Sequence, residues 1–375
     1  MDFSKLESYL DSLSEKYRIP ATDIIVRREH EVIFRHMTGF SDSRAKHPTS
    51  ENDLYWMYSI SKLFTCTAIM QLIEERKLSL NDNLSDFLPE FKHMLVADSS
   101  GLSQARQQIT IENLLTMCAG LSYNINLQSI KDLQQASNHG ASTRAFVSLL
   151  AKEPLLFHPG EHFQYSFCHD VLAAVLEVIE NTSFSTYLEK KIFSPLGIKD
   201  TGFIPDKNKA RRLQAQYTLC ENLNHFVEIV NTNPFRLSDN YESGGAGLIS
   251  SANDVSLLLD ALANDGVAEN GNRILSAKSI EMMRENRLSE KAQTDFNLLG
   301  RKGYSYGLGV RTLIDKNYSL SPIGEFGWDG AAGSYALIDP ENKVSIFFAA
   351  HILGFRAFPH EIHPKIRNFV YEALS

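Results

Sequence analysis

The sequence predicts a fold of the α/β plus all-α class, with an antiparallel sheet flanked by terminal helices and an inserted helical lobe. Three observations support this prediction: strand patterns lie near both ends of the chain, helical patterns fill its middle, and helical periodicity recurs at both termini. The 375 residues, 43% of them hydrophobic, are enough to bury the cores of two closely packed lobes. We expect residues 1–78 and 288–375 to form a discontinuous sheet domain and residues 79–287 to form a mainly helical domain.

The N-terminal segment predicts a helix that covers the sheet. The segment is charged throughout, and Leu6, Tyr9, Leu10 and Leu13 fall on one helical face. It lacks the apolar core of a signal peptide, and no run elsewhere approaches the roughly 18 apolar residues of a membrane span. We therefore expect a cytoplasmic protein without membrane segments.

The remaining elements follow from hydrophobic periodicity and turn residues. Residues 23–28 and 31–37 predict a β-hairpin, residues 61–75 predict a helix, and Thr110 is a typical N-cap for the next helix. Further helices are predicted at residues 143–152, 170–180, 185–193, 253–263, 276–285 and 359–374, and strands at residues 304–314, 325–338 and 343–350. Pairing the hairpin with the C-terminal strands gives one antiparallel sheet.

Composition excludes some classes of partner. The formal charge of −8 argues against nucleic acid, because no basic surface would neutralise phosphates. The four cysteines form no Cys-x-x-Cys pair and predict free thiols in a reducing compartment. They are Cys66, Cys118, Cys168 and Cys220.

Histidine spacing raises the hypothesis of a zinc site. His158 and His162 lie four residues apart and His169 is near, but the sequence contains neither a His-Glu-x-x-His motif nor a Cys/His cluster. We therefore predict no metal and no other cofactor.

Two Ser-x-x-Lys motifs offer a nucleophile and a base. Ser43 and Lys46 lie in a polar loop, where the lysine would stay protonated. Ser59 and Lys62 follow an apolar segment and open a helix, so both side chains lie on one face and the amine is desolvated towards its neutral form. A neutral lysine can take the proton of a hydroxyl that attacks a carbonyl. On the motif alone, a serine that only caps a buried helix is an equally good interpretation.

The context of Ser59 decides between these interpretations by resemblance. Residues 54–70, LYWMYSISKLFTCTAIM, resemble the active-site segment of class C β-lactamases, D-alanyl-D-alanine peptidases and related esterases. Further elements resemble the same family in the same order along the chain: IENLLTMCAGLSY at 111–123, PGEHFQYS at 159–166, PLG at 195–197 and GGAGL at 244–248. The resemblance implies a β-lactamase/transpeptidase-like fold with the active site between two lobes, Ser59 as nucleophile and Lys62 as base.

A tyrosine is the second catalytic position that the resemblance implies. Tyr165 fits by place, since it follows Pro159-Gly160 and precedes a predicted helix. Its phenol would exchange a proton with Lys62. The residue two further on is Phe167, where the family usually has Asn. Tyr241, directly before the glycine-rich segment, is the competing candidate, and we favour Tyr165.

The third element that the resemblance implies lies at residues 326–334, FGWDGAAGS, where the family usually has Lys-Thr-Gly or His-x-Gly on an edge strand. The small residues beginning at Gly330 would let a substrate lie along the strand. The backbone N–H of Ala331 would join that of Ser59 as an oxyanion hole. Trp328 and Asp329 take the place of the usual cation, and the Trp-x-Gly form resembles the esterase branch.

These departures bear on the substrate. An Asp329 carboxylate that faces the site would repel an anionic substrate by roughly 1–4 kcal/mol at about 4 Å. Arg356 is a cation that could reach the site from another direction.

Three classes of function remain. We expect an esterase or amidase that forms an acyl-enzyme on Ser59, with a β-lactamase or D,D-peptidase of the same fold as the alternative. A non-catalytic binding protein is the alternative of another class. The expected partner is a small ester, amide or β-lactam, and the oligomeric state is left undecided.

Overall fold

The computed structural model describes residues 1–42, 46–99, 101–220 and 225–375. Ser43 of the first Ser-x-x-Lys match lies outside these ranges, and the described Lys46 is exposed. Within them the strands are β1 Ala21–Arg28, β2 Glu31–Gly39, β3 Leu54–Trp56, β4 Leu95–Asp98, β5 Gly101–Gln104, β6 Gln216–Cys220, β7 His225–Ile229, β8 Ile249–Ser251, β9 Tyr304–Tyr306, β10 Arg311–Leu313, β11 Phe326–Asp329, β12 Tyr335–Asp339, β13 Val344–Ala349 and β14 Ile352–Leu353.

The α-helices of the same ranges are α1 Ser4–Tyr17, α2 Ser61–Glu74, α3 Ile111–Leu115, α4 Gln128–Ala136, α5 Thr143–Leu150, α6 Cys168–Glu180, α7 Phe184–Leu188, α8 Ser194–Leu196, α9 Lys207–Arg212, α10 Ala252–Ala263, α11 Ala277–Arg284, α12 Glu290–Asn297 and α13 His363–Leu374. Short π-helices, Glu189–Phe193 and Phe358–Ile362, precede α8 and α13. None of the helices in the described ranges is both long enough and apolar enough to cross a bilayer.

A seven-stranded antiparallel sheet joins the two ends of the chain, in the order β2-β1-β13-β12-β11-β10-β9. The predicted hairpin is β1 and β2, and β1 pairs with β13 so that Ile25 lies opposite Phe347. The predicted fold class is therefore confirmed.

Both faces of this sheet are covered, because alternate residues of its strands point to opposite sides. On one face Ile24 and Val26 pack in a core with the α1 residues Leu6 and Leu10. Helix α13 adds Ile366 to the same core. On the other face α10 packs against β1, β12 and β13. The terminal helices therefore flank the sheet as expected.

The middle of the chain contains the predicted helices, and Thr110 caps α3 through a reciprocal capping box with Asn113. It also contains the five strands β4–β8, which the sequence did not indicate because each is short and only partly apolar. Strands β6 and β7 form a small sheet with β14. Since α10 lies on the large sheet, we propose that the sheet lobe takes in α10 as well as the predicted 1–78 and 288–375.

Strand β3 fixes where the segment after it lies. It pairs antiparallel with β8, so that Trp56 is opposite Ile249, and the Met57 N–H donates to the Leu248 carbonyl at 2.9 Å. This pairing holds the segment that precedes Ser59 against the chain that follows the GGAGL sequence.

The buried His351, which follows β13 of the large sheet, links Trp56 of β3 to Gln214 through two hydrogen bonds. The His351 Nδ1–H donates to the Gln214 carbonyl at 2.9 Å, and its Nε2 accepts from the Trp56 N–H at 3.3 Å. Burial lowers the pKa of His351 from 6.5 to about 4. The folded state therefore holds a neutral imidazole, because a proton on Nε2 would face the Trp56 N–H.

This histidine makes stability depend on pH. The unfolded chain binds more protons than the folded one between the two pKa values, so the contribution is complete above pH 6.5 and is lost as the pH falls towards 4. Wild-type protein should lose on the order of 2 kcal/mol more unfolding free energy than His351→Gln between about pH 7.5 and about pH 5. Urea unfolding at both pH values measures this difference, and parallel losses in the two proteins would contradict it.

Candidate active site

Ser59 lies in a short 3-10 turn, Tyr58–Ile60, immediately before α2. Tyr58 has a φ of +47°, in the left-handed region that side chains other than Gly seldom adopt. Its fully buried phenol donates to Gln216 Oε1 at 2.6 Å, which holds this conformation. Ser59 is 7% exposed and lines a cavity of about 360 Å³, so its hydroxyl is presented to a cleft from a rigid turn.

Lys62 is fully buried beneath Ser59. Its Nζ is 3.2 Å from Ser59 Oγ and 2.7 Å from the carbonyl oxygen of Gly245. It also lies 4.5 Å from the centroid of the Tyr165 ring. A buried amine needs acceptors, and these contacts direct it towards the serine. The predicted serine–lysine pair is therefore brought together.

Gly245 leaves the space that the amine occupies. A methyl group on Gly245 would lie 2.6 Å from Asp170 Oδ2 and 3.4 Å from Lys62 Nζ. One on Gly244 would lie 2.4 Å from the His169 carbonyl oxygen. Only glycine allows this segment to pass so close to α6 and to the lysine.

Asp170 is a buried carboxyl beside this segment that the sequence reasoning did not identify as part of the site. Its Oδ1 accepts from the Tyr241 phenol at 2.7 Å and from the Ser243 hydroxyl at 2.5 Å. Burial raises the pKa of Asp170, while these hydrogen bonds and the charge of Lys62 act in the opposite direction. An acidic residue in the mainly apolar first half of α6 is the signal that could have identified it.

The two candidate tyrosines have different surroundings. Tyr241 is buried against Asp170, away from the cavity lining. Tyr165 is half-buried and lines the same cavity as Ser59. Its phenol oxygen accepts from Trp328 Nε1 at 2.9 Å, and the two rings stack with centroids 5.6 Å apart. Lys62 meets the face of the Tyr165 ring, and among the described contacts no hydrogen bond joins it to the phenol oxygen.

Phe167 is a packing residue. It is 2% exposed and its ring meets Tyr123 edge-on, with centroids 4.9 Å apart. Tyr123 in turn stacks on Phe235 and lies below Lys62 Nζ, at 5.4 Å from its centroid. Phe167 therefore supports the Tyr123 ring that lies near Lys62, and offers no amide at the position where the resemblance implies Asn.

Strand β11 ends in a turn that reaches the nucleophile. The Gly330 N–H donates to the Ser334 carbonyl at 2.8 Å, and a methyl group on Gly330 would lie 2.6 Å from the Met57 carbonyl oxygen. The next residue, Ala331, lines the cavity with Ser59. Strand β11 is not an edge strand, but β10 pairs only with Phe326 and Gly327, which leaves its second half uncovered on that side.

Asp329 does not present a free charge to the site. Its Oδ1 accepts from Arg311 at 2.9 Å, and its Oδ2 forms an ion pair with Arg301. Burial alone would raise the pKa of Asp329, but the two guanidinium groups hold it below its ordinary value of 3.8. The expected repulsion of anionic substrates is therefore wrong, because two arginines face one carboxylate. Arg301 belongs to no recognisable sequence motif, and only the tertiary structure brings it to Asp329.

The cavity combines this polar end with apolar walls. Besides Ser59 it is lined by Tyr165, Leu299, Arg301, Trp328, Asp329, Gly330, Ala331, Gly333, Gly354, Phe355, Arg356, Phe358, Pro359 and His363. Arg356 is exposed at its rim and forms no ion pair with a described residue. The described ion pairs of Asp329 do not include Arg356.

Two of the histidines that raised the hypothesis of a zinc site, His162 and His169, contact other side chains. His162 pairs with Asp295 at 2.8 Å and His169 lies 3.2 Å from Cys66 Sγ. In the described ranges no group of three or more His, Cys, Asp or Glu is arranged to hold a metal ion. All four cysteines are free thiols, and Cys220 alone is only half-buried.

Known proteins resemble this chain over most of its length. The chain matches the family described as Beta-lactamase over residues 6–367. Esterase EstB of Burkholderia gladioli is 29% identical over 393 residues, covering 98% of this chain and 95% of EstB. A putative D-alanyl-D-alanine carboxypeptidase of Salmonella agona is 25% identical over 386 residues, covering 94% of this chain and 82% of the relative.

A solved structure agrees with the sequence relatives. EstCE1, described as a hydrolase with promiscuous acyltransferase activity, superposes with a TM-score of 0.82 at 25% identity and covers 98% of both chains. The family match spans nearly the whole chain, and the serine–lysine pair lies in a cleft beside the sheet. The chain belongs to the β-lactamase family and is a serine hydrolase.

Proposed function

We propose that this enzyme hydrolyses small carboxylic esters or amides through an acyl-enzyme on Ser59. The observation that carries the proposal is the 3.2 Å contact between Lys62 Nζ and Ser59 Oγ at the floor of the cavity. A nucleophile and a base within hydrogen-bond reach, with the base oriented by a third group, are typical of covalent catalysis. Here the Gly245 carbonyl is that third group.

The first half-reaction uses the contacts of Lys62. In the form that acts as base, the Lys62 amine carries no charge: it donates one hydrogen to the Gly245 carbonyl and accepts the Ser59 proton as Oγ attacks the substrate carbonyl carbon. The tetrahedral intermediate then collapses, and the leaving group departs with that proton. In the second half-reaction water attacks the acyl carbon while Lys62 accepts one of its protons. The bond between Ser59 Oγ and the acyl carbon then breaks, and Lys62 returns the proton to Oγ as the carboxylic acid leaves.

Tyr165 is proposed to conduct the proton to the leaving group. Its phenol oxygen already accepts from the Trp328 N–H, so its own hydrogen is available to a substrate atom in the cavity. The position of Lys62 over the ring stabilises the protonated amine that forms during attack.

The oxyanion hole is proposed to consist of the backbone N–H groups of Ser59 and Ala331. The first N–H groups of a helix lack intrahelical acceptors, and the turn at Gly330 brings Ala331 to the same cavity. Trp328, Asp329 and Gly330 position this turn, since Arg301 and Arg311 fix the Asp329 carboxylate.

Apolar walls favour an ester or amide with an apolar acyl group. Leu299, Phe355 and Phe358 line the cavity together with the Trp328 ring. EstB is named an esterase and EstCE1 a hydrolase, and these names support hydrolysis as the reaction and an ester as the substrate.

A β-lactamase or D,D-peptidase is the second candidate, and one observation favours it. Arg301 and Arg356 both line the cavity, and the exposed Arg356 has no acidic partner among the described residues. A substrate carboxylate could pair with it. The Salmonella agona relative carries the name of such a peptidase. A non-catalytic binding protein is disfavoured because Ser59 and Lys62 are both present and in contact.

The cellular location is also a proposal. Four free thiols, three of them buried, support a cytoplasmic enzyme, since a reducing compartment keeps cysteines unpaired.

The substrate proposal predicts a rank order of rates. The enzyme should hydrolyse p-nitrophenyl butyrate with a higher kcat/KM than nitrocefin, because the acyl site is largely apolar. Ser59→Ala should lose both activities and keep its unfolding midpoint, since a single hydroxyl contributes little to stability. A faster turnover of nitrocefin would favour the β-lactamase, and ester hydrolysis that survives Ser59→Ala would exclude this nucleophile.

The Trp328–Tyr165 hydrogen bond predicts an effect on kcat. Trp328→Phe keeps an aromatic ring against Tyr165 but removes the N–H donor, so kcat for the butyrate ester should fall roughly 10-fold. Trp56→Phe is the matched control, because the Trp56 indole N–H is buried, has no hydrogen-bond partner among the described residues and does not line the cavity. Equal kcat values for the two variants would refute a role for this hydrogen bond.

A further inference from the structure

A second cavity, of about 400 Å³, lies next to the active-site cavity and shares a wall with it. The shared residues are Arg301, Pro359 and His363. The rest of its lining comes from Gly300, Lys302, Tyr304, Arg311, Tyr318, Tyr335, His360, Pro364 and Arg367. We call it the cationic cavity, and none of the roles proposed for Ser59, Lys62 or Tyr165 uses it.

The charge of this cavity is strongly one-sided. Arg301, Lys302, Arg311 and Arg367 all line it, and no acidic side chain does so in the described part of the chain. Two carboxyls lie behind the arginines: Asp329 pairs with Arg301 and Arg311, as described above, and Glu325 accepts from the Tyr304 phenol.

Four cations therefore face at most two anions. Burial raises the pKa of Glu325, while Arg311, the Tyr304 hydrogen bond and Arg367 act in the opposite direction. His363 adds no positive charge, because burial lowers its pKa to about 4. An excess of about two positive charges in a partly enclosed space attracts a dianion.

Buried donors without partners point to the same kind of ligand. Tyr335 lines the cavity and is 3% exposed, yet its hydroxyl has no hydrogen-bond partner among the described residues. The Nε of Arg301 is likewise buried without a partner. An unsatisfied buried donor costs roughly 1–3 kcal/mol, so such groups usually have a role. Oxygen atoms of a bound anion would accept from both.

We propose that the cationic cavity binds a small molecule that carries a phosphate group. A phosphate monoester carries about two negative charges, which would balance the excess positive charge of the arginines and Lys302. Its oxygens accept hydrogen bonds from guanidinium and phenol donors. The cavity is larger than phosphate alone requires. Tyr304, Tyr318 and Pro364 provide walls against which an apolar or aromatic part of the ligand packs.

Isothermal titration of the whole protein with simple probes tests the ligand class. Phenyl phosphate should bind most tightly, inorganic phosphate more weakly, and phenol not measurably, because charge and ring both contribute. Benzoate has the ring but a single charge and should bind at least 10-fold more weakly than phenyl phosphate. Benzoate binding equal to that of phenyl phosphate, or no saturable binding of either phosphate at tens of millimolar, overturns the proposal.

Paired variants locate the binding to this cavity. Tyr335→Phe and Lys302→Ala should each weaken phenyl phosphate binding by about 3- to 10-fold, the effect of losing one hydrogen bond or one surface charge. Tyr187→Phe removes another buried hydroxyl that has no hydrogen-bond partner in the described ranges, and Lys278→Ala removes an exposed charge; both residues lie outside the cavity lining. These controls should bind as wild type does. Equal losses in controls and cavity variants, with all unfolding midpoints unchanged, place the binding elsewhere and contradict the proposal.

Discussion

The contact between Nζ of the fully buried Lys62 and Ser59 Oγ is the constraint on which the surrounding structure depends. A buried amine without acceptors is unfavourable by several kcal/mol, so its position must be enforced from several directions. The Gly245 carbonyl orients it, the Tyr165 ring covers it, and the left-handed backbone of Tyr58 places Ser59 above it. Each of these features comes from a different part of the chain.

Two contacts between backbone segments bring these parts of the chain together. Pairing of β3 with β8 brings the glycine-rich segment to the start of α2, and the turn after β11 meets the Met57 carbonyl through Gly330. Two cavities lie side by side, one with the nucleophile and one with the excess of cations, and Arg301 lines both of them.

Local sequence patterns were sufficient to predict the structural features that depend on residues close together in the chain. The hairpin of β1 and β2, the terminal helices and the Thr110 cap follow from periodicity and capping, and the Ser59–Lys62 contact follows from helical spacing. Contacts between residues that are far apart in the sequence could not be predicted in this way. Arg301 and Arg311 neutralise Asp329, which from the sequence alone appeared as a free acid, and Asp170 meets Gly245 only because α6 crosses beneath it.

Covalent labelling tests the central claim, that Lys62 activates Ser59, most directly. A fluorophosphonate probe followed by peptide mass spectrometry should place the label on Ser59 and not on the nearby Ser61, whose hydroxyl accepts from the Leu248 N–H. Lys62→Ala should remain folded and lower the labelling rate by about 10²–10⁴, the usual contribution of a general base. Labelling of another residue, or an unchanged rate in the folded Lys62→Ala variant, would contradict the account.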